Sequence, residues 1–423
     1  MNAPNLCFAP AEILLPHAER VDPTRWAVVA CDQYTSEPAY WEETARLVGE
    51  APSMLRLILP EVYLSESEAR IPRINAAMNE ALASSLVAYP DAMVYVERTQ
   101  SDGTVRRGIV GKVDLEAYDY NKGATTPIRA TEGTVLERIP PRVAIRRDAP
   151  LESPHVMLLI DDRARTVIEP LQSYCQKQTP AYDFDLMQKG GHLRGVLLDE
   201  TARKNVLDAL AALATPEAMR ARYGADLPSL LFAVGDGNHS LATAKATYEE
   251  LKSRIGEEAA RIHPARYALA EIVNLHDDAL QFEPIYRVIF GVDPDVVLRE
   301  LREELSHLSG TAAPQEMTYV TATGDGVLKI AHPTQQLTVG TLQSFLSAFA
   351  ARHPEAEIDY IHGEDSLRAL ATRENAIGFL FAGMRKEELF PAVIFDGALP
   401  RKTFSMGHAA DKRYYFECRR IRE

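Results

Sequence analysis

Cysteine is scarce in this chain and is never paired in sequence. The four cysteines, Cys7, Cys31, Cys175 and Cys418, lie far apart, and none forms a Cys-x-x-Cys motif. Thiolate zinc sites usually need such pairs, and a disulfide framework needs cysteines in a regular spacing. The sequence therefore predicts neither kind of structure. It favours a reducing compartment, which for this chain means the cytoplasm.

Long hydrophobic runs and an excess of basic residues are also missing. No apolar stretch approaches the roughly 20 residues that cross a bilayer, and residues 1–6 lack the pattern of a signal peptide. The formal net charge is -14, the opposite sign from a protein that holds a nucleic-acid backbone. We therefore expect no membrane partner and no nucleic-acid partner. The oligomeric state stays open.

Length and patterning indicate a folded α/β protein with more than one domain. The chain has 423 residues, of which 46% are hydrophobic and 25% charged, as in ordinary globular proteins. Apolar runs alternate with helical patterns, and runs at residues 379–383 and 392–395 are predicted as strands. We expect a large mixed-sheet main domain over residues 1–291, a smaller α/β domain over 292–398, and a segment, 399–423, that returns to the main domain.

The stretch around residue 236 has the pattern of a buried strand, a glycine loop and a helix. Residues 230–234 are a continuous apolar run, and residues 241–255 carry apolar side chains at helical spacing. Asn238 or Ser240 is predicted to cap the helix. The candidate site residues between strand and helix are Gly235, Asp236, Gly237, Asn238, His239 and Ser240.

This loop suits an anion and a proton transfer. The first N–H groups of a helix have no internal partner, and an acid and an imidazole beside them favour metal binding or acid–base chemistry. The alternative interpretation is a capped β–α turn, and the spacing alone does not decide between the two. The loop is neither a Walker A loop nor a Gly-x-Gly-x-x-Gly motif, so no nucleotide prediction rests on it.

A second polar loop follows the apolar run at residues 26–30. Its candidate binding residues are Asp32, Thr35, Ser36 and Glu37. Loops at strand ends often carry functional residues because a rigid scaffold positions them. The alternative is a helix cap, with Ser36 as N-cap and Pro38 in the first turn, but a cap does not account for Asp32 or Glu37. Cys31 is interpreted as a buried structural residue.

Two basic segments complete the set of candidates. Residues 118–142 are rich in hydroxyl groups and contain the cations Lys122, Arg129, Arg138 and Arg142. Such a segment in an acidic protein favours a phosphate or carboxylate ligand, although a solvated loop is the alternative. The part predicted to be functional is Arg129, Thr131 and Glu132. In the second segment, Arg401 and Lys402 are predicted to return to the main site, and a plain tail is the competing interpretation.

Several stretches together resemble the bacterial and archaeal family called domain of unknown function 1015. They are residues 31–37, 111–115, 128–136, 235–240, 282–287 and 399–403. Many members carry Asp-Gly-His-His-Arg where this chain has Asp-Gly-Asn-His-Ser, and that form is similar to the Gly-x-x-Arg box of ParB-like and sulfiredoxin-like proteins, which include free-serine kinases. The resemblance implies such a core and a phosphate site near Asp236. Because Ser240 replaces the arginine, Arg129 or Lys245 would have to substitute for it.

Together these patterns predict a kinase- or phosphatase-like enzyme for a small anionic metabolite such as serine or phosphoserine. His239 is the predicted general acid–base residue, and Asp236 is predicted to hold Mg²⁺ or to orient the nucleophile. Glu37 or Asp32 would supply a second carboxylate. The alternative is a non-catalytic regulatory protein that binds an anion or a metabolite of amino-acid biosynthesis.

Overall fold

The computed structural model describes residues 6–134, 137, 139–153, 155–224 and 226–422. Arg138, one of the predicted cations, and residues 135–136 of the family motif lie outside the described residues. The chain forms two compact units. The first unit is Met1–Ala130, Thr134–Leu280 and His408–Glu423; the second is Thr131–Gly133 and Gln281–Gly407.

The predicted divisions at residues 291 and 398 both fall inside the second unit. The change of composition near residue 291 marks the turn between a strand, Phe282–Phe290, and a helix, Pro294–Ser306, that belong to the same unit.

The strands described by the structure are numbered along the chain. They are β1 (Phe8–Ala9), β2 (Ala11–Pro16), β3 (Val28–Val29), β4 (Leu86–Ala92), β5 (Val94–Thr99), β6 (Val105–Asp114), β7 (Tyr118–Asp119), β8 (Ile128–Ala130), β9 (Leu151–Glu152), β10 (Met157–Ile160), β11 (Tyr182–Asp185), β12 (His192–Leu197), β13 (Phe232–Asp236), β14 (Tyr267–Asn274), β15 (Phe282–Phe290), β16 (Gln315–Thr321), β17 (Gly324–Ile330), β18 (Glu357–His362), β19 (Ala376–Leu380), β20 (Phe404–Met406), β21 (Tyr414–Tyr415) and β22 (Arg419–Arg420).

The α-helices are numbered in the same way. They are α1 (Pro23–Trp26), α2 (Pro38–Val48), α3 (Ser67–Ser84), α4 (Ile139–Arg146), α5 (Leu171–Cys175), α6 (Glu200–Leu213), α7 (Pro216–Tyr223), α8 (Asn238–Ile255), α9 (Glu257–Ile262), α10 (Pro294–Ser306), α11 (Thr338–Arg352), α12 (Glu364–Ala371) and α13 (Lys386–Phe395). Within the described ranges, no helix combines the length and the apolar character needed to cross a bilayer. The mixed α/β class predicted from the sequence is confirmed.

The first unit is built on a mixed sheet. Among the described residues its strand order is β11-β12-β5-β6-β14-β10-β13-β8-β7, with β1 paired to β6. β10 runs parallel to β14 and antiparallel to β13, with Met157 opposite Asp236. Because neighbours cover both faces of these central strands, their side chains are apolar and buried. The antiparallel pairing brings the beginning of β10 and the end of β13 to the same edge of the sheet.

The segment after residue 408 is part of this first unit. β21 pairs with β3, and β22 pairs with β9, so both strands complete short antiparallel ribbons begun much earlier in the chain. Arg413 lies between Glu271 at 3.1 Å and Glu417 at 2.7 Å, and all three side chains are buried. Buried charges are stable only when they are paired and hydrogen-bonded, so the C-terminal segment supplies a cation that the sheet needs.

The second unit has a sheet of its own. In the described part of the chain its strand order is β17-β16-β19-β15-β18, with β20 paired to one end of β15. Arg287 on β15 is fully buried and donates hydrogen bonds to the carbonyl oxygens of Ile285, Arg401 and Lys402. The basic segment at residues 399–403 is thereby fixed within the second unit through its backbone. The run at residues 392–395, predicted as a strand, is instead the last turn of α13.

Candidate functional site

A cluster of polar side chains forms where β10 begins and β13 ends. His155 comes two residues before β10 and is 4% exposed. Asp236 is the last residue of β13, and α8 begins two residues later at Asn238. The loop after β3 carries Asp32 to the same place, at 3.5 Å from the imidazole of His155. The site is therefore an edge of the sheet in which several loops converge around one buried imidazole.

The Nδ1 atom of His155 contacts the hydroxyl of Tyr415 at 2.6 Å. That hydroxyl donates its hydrogen to the Sγ atom of Cys31 at 3.0 Å and accepts the backbone N–H of Cys31 at 3.2 Å. Since the hydroxyl has a single hydrogen, it must accept from Nδ1–H. This arrangement fixes the tautomer: Nδ1 carries a hydrogen, and Nε2 faces the remaining groups of the site.

The Nε2 atom of His155 has two oxygen neighbours. The hydroxyl of Ser240, in the first turn of α8, lies 3.1 Å away, and the Oδ2 atom of Asp32 lies 3.5 Å away. A neutral imidazole would accept the Ser240 hydroxyl hydrogen at Nε2, whereas a protonated imidazole would donate from Nε2 toward Asp32. The geometry suits a group that takes and returns a proton at one defined atom.

The charges of the site set the protonation of this pair. Burial lowers the pKa of His155, but Asp32 and Asp236 favour the charged imidazolium, and the net effect raises the pKa. For Asp32, burial raises the pKa, but His155 and Lys412 outweigh it and hold the pKa well below its ordinary value. Burial raises the pKa of the Cys31 thiol to about 12, so Cys31 stays protonated near neutral pH.

Asp236 is held by an amine and an amide. Its Oδ2 atom lies 3.2 Å from the Nζ atom of Lys412, and its Oδ1 atom accepts the backbone N–H of Gly237 at 2.9 Å. Gly237 has φ +78° and is the N-cap of α8, so the prediction that Asn238 or Ser240 caps this helix is wrong. A glycine is needed there because the left-handed conformation disfavours a Cβ atom, and the Cα atom of Val156 would lie 3.1 Å from it.

These neighbours of Asp236 do not form the oxygen-rich set that Mg²⁺ prefers. Among the described residues, no group of three or more His, Cys, Asp or Glu side chains could hold a metal ion. The predicted Mg²⁺ at Asp236 stays a prediction, and no step below runs through a metal ion.

A cavity of about 170 Å³ opens beside the imidazole. Its polar wall includes Cys31, Glu61, Arg142, Ser153, His155, Ser240 and Tyr415. Arg142 forms an ion pair with Glu61, and the backbone N–H of Glu61 donates to the carbonyl of Cys31 at 2.8 Å. Buried His155 and partly buried Ser240 therefore both face a space in which a small molecule could bind.

The structure brings together only part of the predicted site. Asp32, Asp236 and Ser240 converge around His155, with Gly235 and Gly237 beside Asp236 and with Asn238 and His239 as the first two residues of α8. Thr35, Ser36 and Glu37 are exposed at the start of α2. The prediction that Ser36 caps α2 is wrong: Pro38 occupies the first helical position, which makes Glu37 the N-cap.

Arg129 is held at the other end of β13. Its guanidinium group donates to the carbonyl oxygens of Thr126 at 2.8 Å, Pro228 at 3.1 Å and Ser229 at 3.4 Å. The last two residues precede β13, whereas Asp236 ends it. The structure therefore does not bring the Arg129 guanidinium to Asp236, and its cationic group binds backbone carbonyls instead.

Lys245 is also directed away from the imidazole. Its Nζ atom lies 3.0 Å from the carbonyl oxygen of Leu115 and 2.8 Å from the Oε1 atom of Glu249. It lines a separate pocket together with Glu116 and Tyr118. Neither Lys245 nor Arg129 is placed to take over the part of the missing motif arginine at Ser240.

The remaining candidates belong to the second unit. Thr131 and Glu132 are adjacent to Leu399, whose backbone N–H donates to the Thr131 carbonyl at 2.7 Å. Arg401 and Lys402 are exposed, and the Lys402 ammonium lies 5.0 Å from the centre of the Tyr360 ring. Their predicted part in substrate binding stays a prediction.

Three residues of the site were missed in the sequence: His155, Lys412 and Tyr415. His155 directly precedes the apolar run of β10, which is the same strand-edge position that drew attention to Asp32. That signal could have identified it. Lys412 and Tyr415 have no local signal, because they reach the site through the pairing of β21 with β3.

A different histidine, His276, does not pair with its neighbour in sequence. Its Nε2 atom lies 2.7 Å from the Oδ1 atom of Asp161, while Asp277 accepts the backbone N–H groups of Arg107 and Ala279. The sequence favours an exposed turn over a metal pair at residues 276–277, but Asp277 is buried, at 6% exposed.

Comparison with known proteins places the chain in a family. It belongs to the family described as "Protein of unknown function (DUF1015)", which it matches over residues 11–362. No curated protein matches the chain. Similar solved structures include a free serine kinase in complex with AMP, at 11% identity, with 72% of this chain and 90% of that chain covered and a TM-score of 0.37.

Two further structures are similar at the same low level. A conserved hypothetical protein from Pyrococcus furiosus has 10% identity and a TM-score of 0.34, covering 74% of this chain and 94% of that one. SbnI from Staphylococcus aureus, with a C-terminal truncation, has 9% identity and a TM-score of 0.33, covering 70% and 82%.

Proposed function

We propose that this member of the DUF1015 family is a phosphoryl-transfer enzyme for a small metabolite, with His155 as its general acid–base residue. One observation carries the proposal: the Nε2 atom of a buried imidazole faces a cavity, with a hydroxyl at 3.1 Å and a carboxylate at 3.5 Å. General acid–base catalysis requires an imidazole that is held in one tautomer and whose reactive nitrogen is within reach of substrate.

His155 would act on the hydroxyl of the acceptor. As the new oxygen–phosphorus bond forms and the bond to the leaving group breaks, Nε2 takes the hydroxyl proton. The carboxylate of Asp32 then stabilises the imidazolium, while the Tyr415 hydroxyl keeps Nδ1 in place. The acceptor is a metabolite hydroxyl in a kinase-like reaction and a water molecule in a phosphatase-like reaction.

The charge of the phosphoryl group would be met by cations and amides. Stabilising that charge is the largest demand in phosphoryl transfer. Lys412 lies beside Asp236 at the start of α8, where the first backbone N–H groups of the helix point outward. Arg142 lines the cavity next to its partner Glu61. An entering phosphate would compete with these two carboxylates for the cations.

Phosphorus NMR with purified protein tests the proposal. Serine with ATP, ADP or pyrophosphate is tested in one set of samples and phosphoserine alone in another, each with and without Mg²⁺. We expect a new phosphoester or free-phosphate signal, and a rate lower by about 10²- to 10⁴-fold in His155→Gln. His362→Gln, at an exposed histidine of β18, is the matched control and should retain the wild-type rate.

A variant of a second histidine, His239, decides which of the two imidazoles is the acid–base residue. If His239→Ala abolishes turnover while folded His155→Gln retains it, the acid–base residue is His239, as the sequence pattern predicts, and the assignment to His155 is wrong. Thermal melting of each variant checks that the loss is not one of folding.

Non-catalytic binding is the second candidate. The cations of the site are already paired with carboxylates, Lys412 with Asp236 and Arg142 with Glu61, as they would be in a protein that only exchanges one anion for another. Saturable binding of phosphoserine or phosphate, without product under any of these conditions, would favour a regulatory protein.

A further inference from the structure

The cavity beside His155 has an apolar wall in addition to its polar one. Six apolar side chains of this wall come from four parts of the chain, and all belong to the same buried core: Met54, Leu57, Leu59, Met78, Leu151 and Leu269. Cys418 closes the wall, with its Sγ atom 3.7 Å from the Sδ atom of Met54. The apolar part is thus a continuous surface.

The polar wall is continuous as well. Contacts run from Arg142 to Glu61, from Glu61 to Cys31, and from Cys31 through Tyr415 to His155. A second ion pair, Arg146 with Glu152, also lines the cavity, and its carboxylate additionally accepts from Arg419 and from the backbone N–H of Leu269. A ligand in this space would meet the reactive imidazole at one side and aliphatic carbon at the other.

The size of the cavity limits the apolar part of such a ligand. A buried apolar cavity of about 150 Å³ accommodates one benzene molecule. The present cavity, at about 170 Å³, is of that size. Serine has no apolar group that could cover the aliphatic wall, so occupation by serine alone would leave this surface without partners.

We infer that the ligand of this site carries a compact apolar group of up to about six carbon atoms next to its phosphate or hydroxyl group. The phosphate or hydroxyl lies at the polar wall near His155 and Arg142, and the apolar group lies against Met54, Leu57 and Leu269. The inference deepens the proposed function and rests on it for the nature of the reacting group.

A series of alkyl phosphates tests the inference. Calorimetry measures the affinities of ethyl, butyl, hexyl and octyl phosphate, with inorganic phosphate as the reference without an apolar group. We expect the affinity to rise by about fourfold per added methylene group as far as hexyl phosphate, and to stop rising at octyl phosphate. Equal affinities for inorganic, ethyl and hexyl phosphate would overturn the inference.

Two cavity variants locate the apolar group. Ala149 lines the cavity, so Ala149→Leu fills part of it and should reduce the affinity for hexyl phosphate by about tenfold or more, with little effect on ethyl phosphate. Leu57→Ala enlarges the cavity and should move the optimum toward octyl phosphate. Ala212→Leu, at an exposed position of α6, is the control for Ala149→Leu and should leave the series unchanged. A melting curve accompanies each variant.

Binding measurements test the apolar subsite, and turnover measurements test the proposed catalysis. Chain-length-dependent binding without cleavage of any alkyl phosphate, and without transfer to or from serine, would contradict the proposed catalysis and keep the apolar subsite. Turnover of phosphoserine with no dependence of affinity on alkyl length would keep the proposed function and reject the subsite. If Leu57→Ala and Ala149→Leu leave the length preference unchanged, the apolar group binds elsewhere and the inference is wrong.

Discussion

The Nδ1 atom of His155 lies 2.6 Å from the hydroxyl oxygen of Tyr415, although 260 positions separate the two residues in the chain. The hydroxyl also bonds both the sulfur and the backbone N–H of Cys31, so it joins three segments at one atom. In the proposed mechanism Tyr415 is therefore a positioning residue, which orients the imidazole ring of His155.

Tyr415→Phe tests whether the Tyr415 hydroxyl holds the imidazole ring of His155 in position. The variant keeps the aromatic packing but leaves the Nδ1–H group of His155 and the N–H group of Cys31 without this acceptor, so we expect a loss of about 1–3 kcal/mol in the free energy of unfolding. Urea denaturation measures it, and Tyr89→Phe on β4 is the control. We also expect a shifted pH profile of turnover. An unchanged stability and an unchanged profile together would show that the hydroxyl does not hold the imidazole.

Asp32→Asn should change the pH dependence of stability. The pKa of His155 is raised above its ordinary 6.5, so the charged imidazole stabilises the folded protein. This contribution to the free energy of unfolding is complete below pH 6.5 and is lost as the pH rises through the folded-state pKa. The pKa of Asp32 is lowered from its ordinary 3.8, so its contribution exists above pH 3.8 and is lost as the pH falls through the folded-state value.

The difference in unfolding free energy between wild type and Asp32→Asn should therefore be largest between pH 3.8 and 6.5. Urea denaturation at about pH 5.5 and about pH 9 checks this expectation, with Asp208→Asn, an exposed aspartate of α6, as the control. A difference that grows toward alkaline pH would contradict the ion pair.

Lys412→Met should weaken the binding of phosphate. A charge-assisted hydrogen bond contributes about 1.5–3 kcal/mol, so we expect the dissociation constant measured by calorimetry to rise by at least about tenfold. Lys177→Met, at an exposed lysine, is the control. The double variant Lys412→Met with Asp236→Asn is the decisive comparison: full recovery of affinity would mean that the lysine only neutralises Asp236 and does not contact the anion.

Two glycines with the same backbone conformation make a matched pair. Gly237 has φ +78° and Gly224 has φ +75°, but a Cβ atom at Gly237 would press on Val156, whereas a Cβ atom at Gly224 would meet open space. We expect Gly224→Ala to lower the unfolding free energy by about 1–2 kcal/mol through backbone strain alone. Gly237→Ala should lower it further and reduce turnover, because the start of α8 carries Ser240. Equal effects of the two changes would contradict this account.

Local pattern was sufficient to predict the strand, loop and helix at the centre of the site. An apolar run followed by glycines and by helical spacing corresponds to β13 and α8, and the acids Asp32 and Asp236 were identified from their positions at strand ends. These features depend on neighbours in sequence, so a pattern of a few residues determines them. The same type of pattern failed at residues 392–395, because a short continuous apolar run fits either a strand or a buried helix.

The charged residues were harder to predict because charge does not give the direction of a side chain. The basic segment drew attention to its cations, but the guanidinium of Arg129 binds the carbonyl oxygens of Pro228 and Ser229, at the end of β13 away from Asp236. Lys412 and Tyr415 come to the site by pairing across most of the chain, which no local propensity encodes. The acidic residues of the site could therefore be predicted from the sequence, but the orientation of its imidazole could not.

The first unit is interrupted in sequence by the whole of Gln281–Gly407, and this order has a consequence for biosynthesis. During translation, the strands that hold Glu271 emerge well before Arg413, the buried cation that neutralises it. At about 5–20 residues per second, the ribosome needs on the order of ten seconds to deliver the missing segment. For that interval the sheet of the nascent chain is incomplete, and Glu271 has Arg106, at 3.8 Å, as a cationic partner but still lacks Arg413.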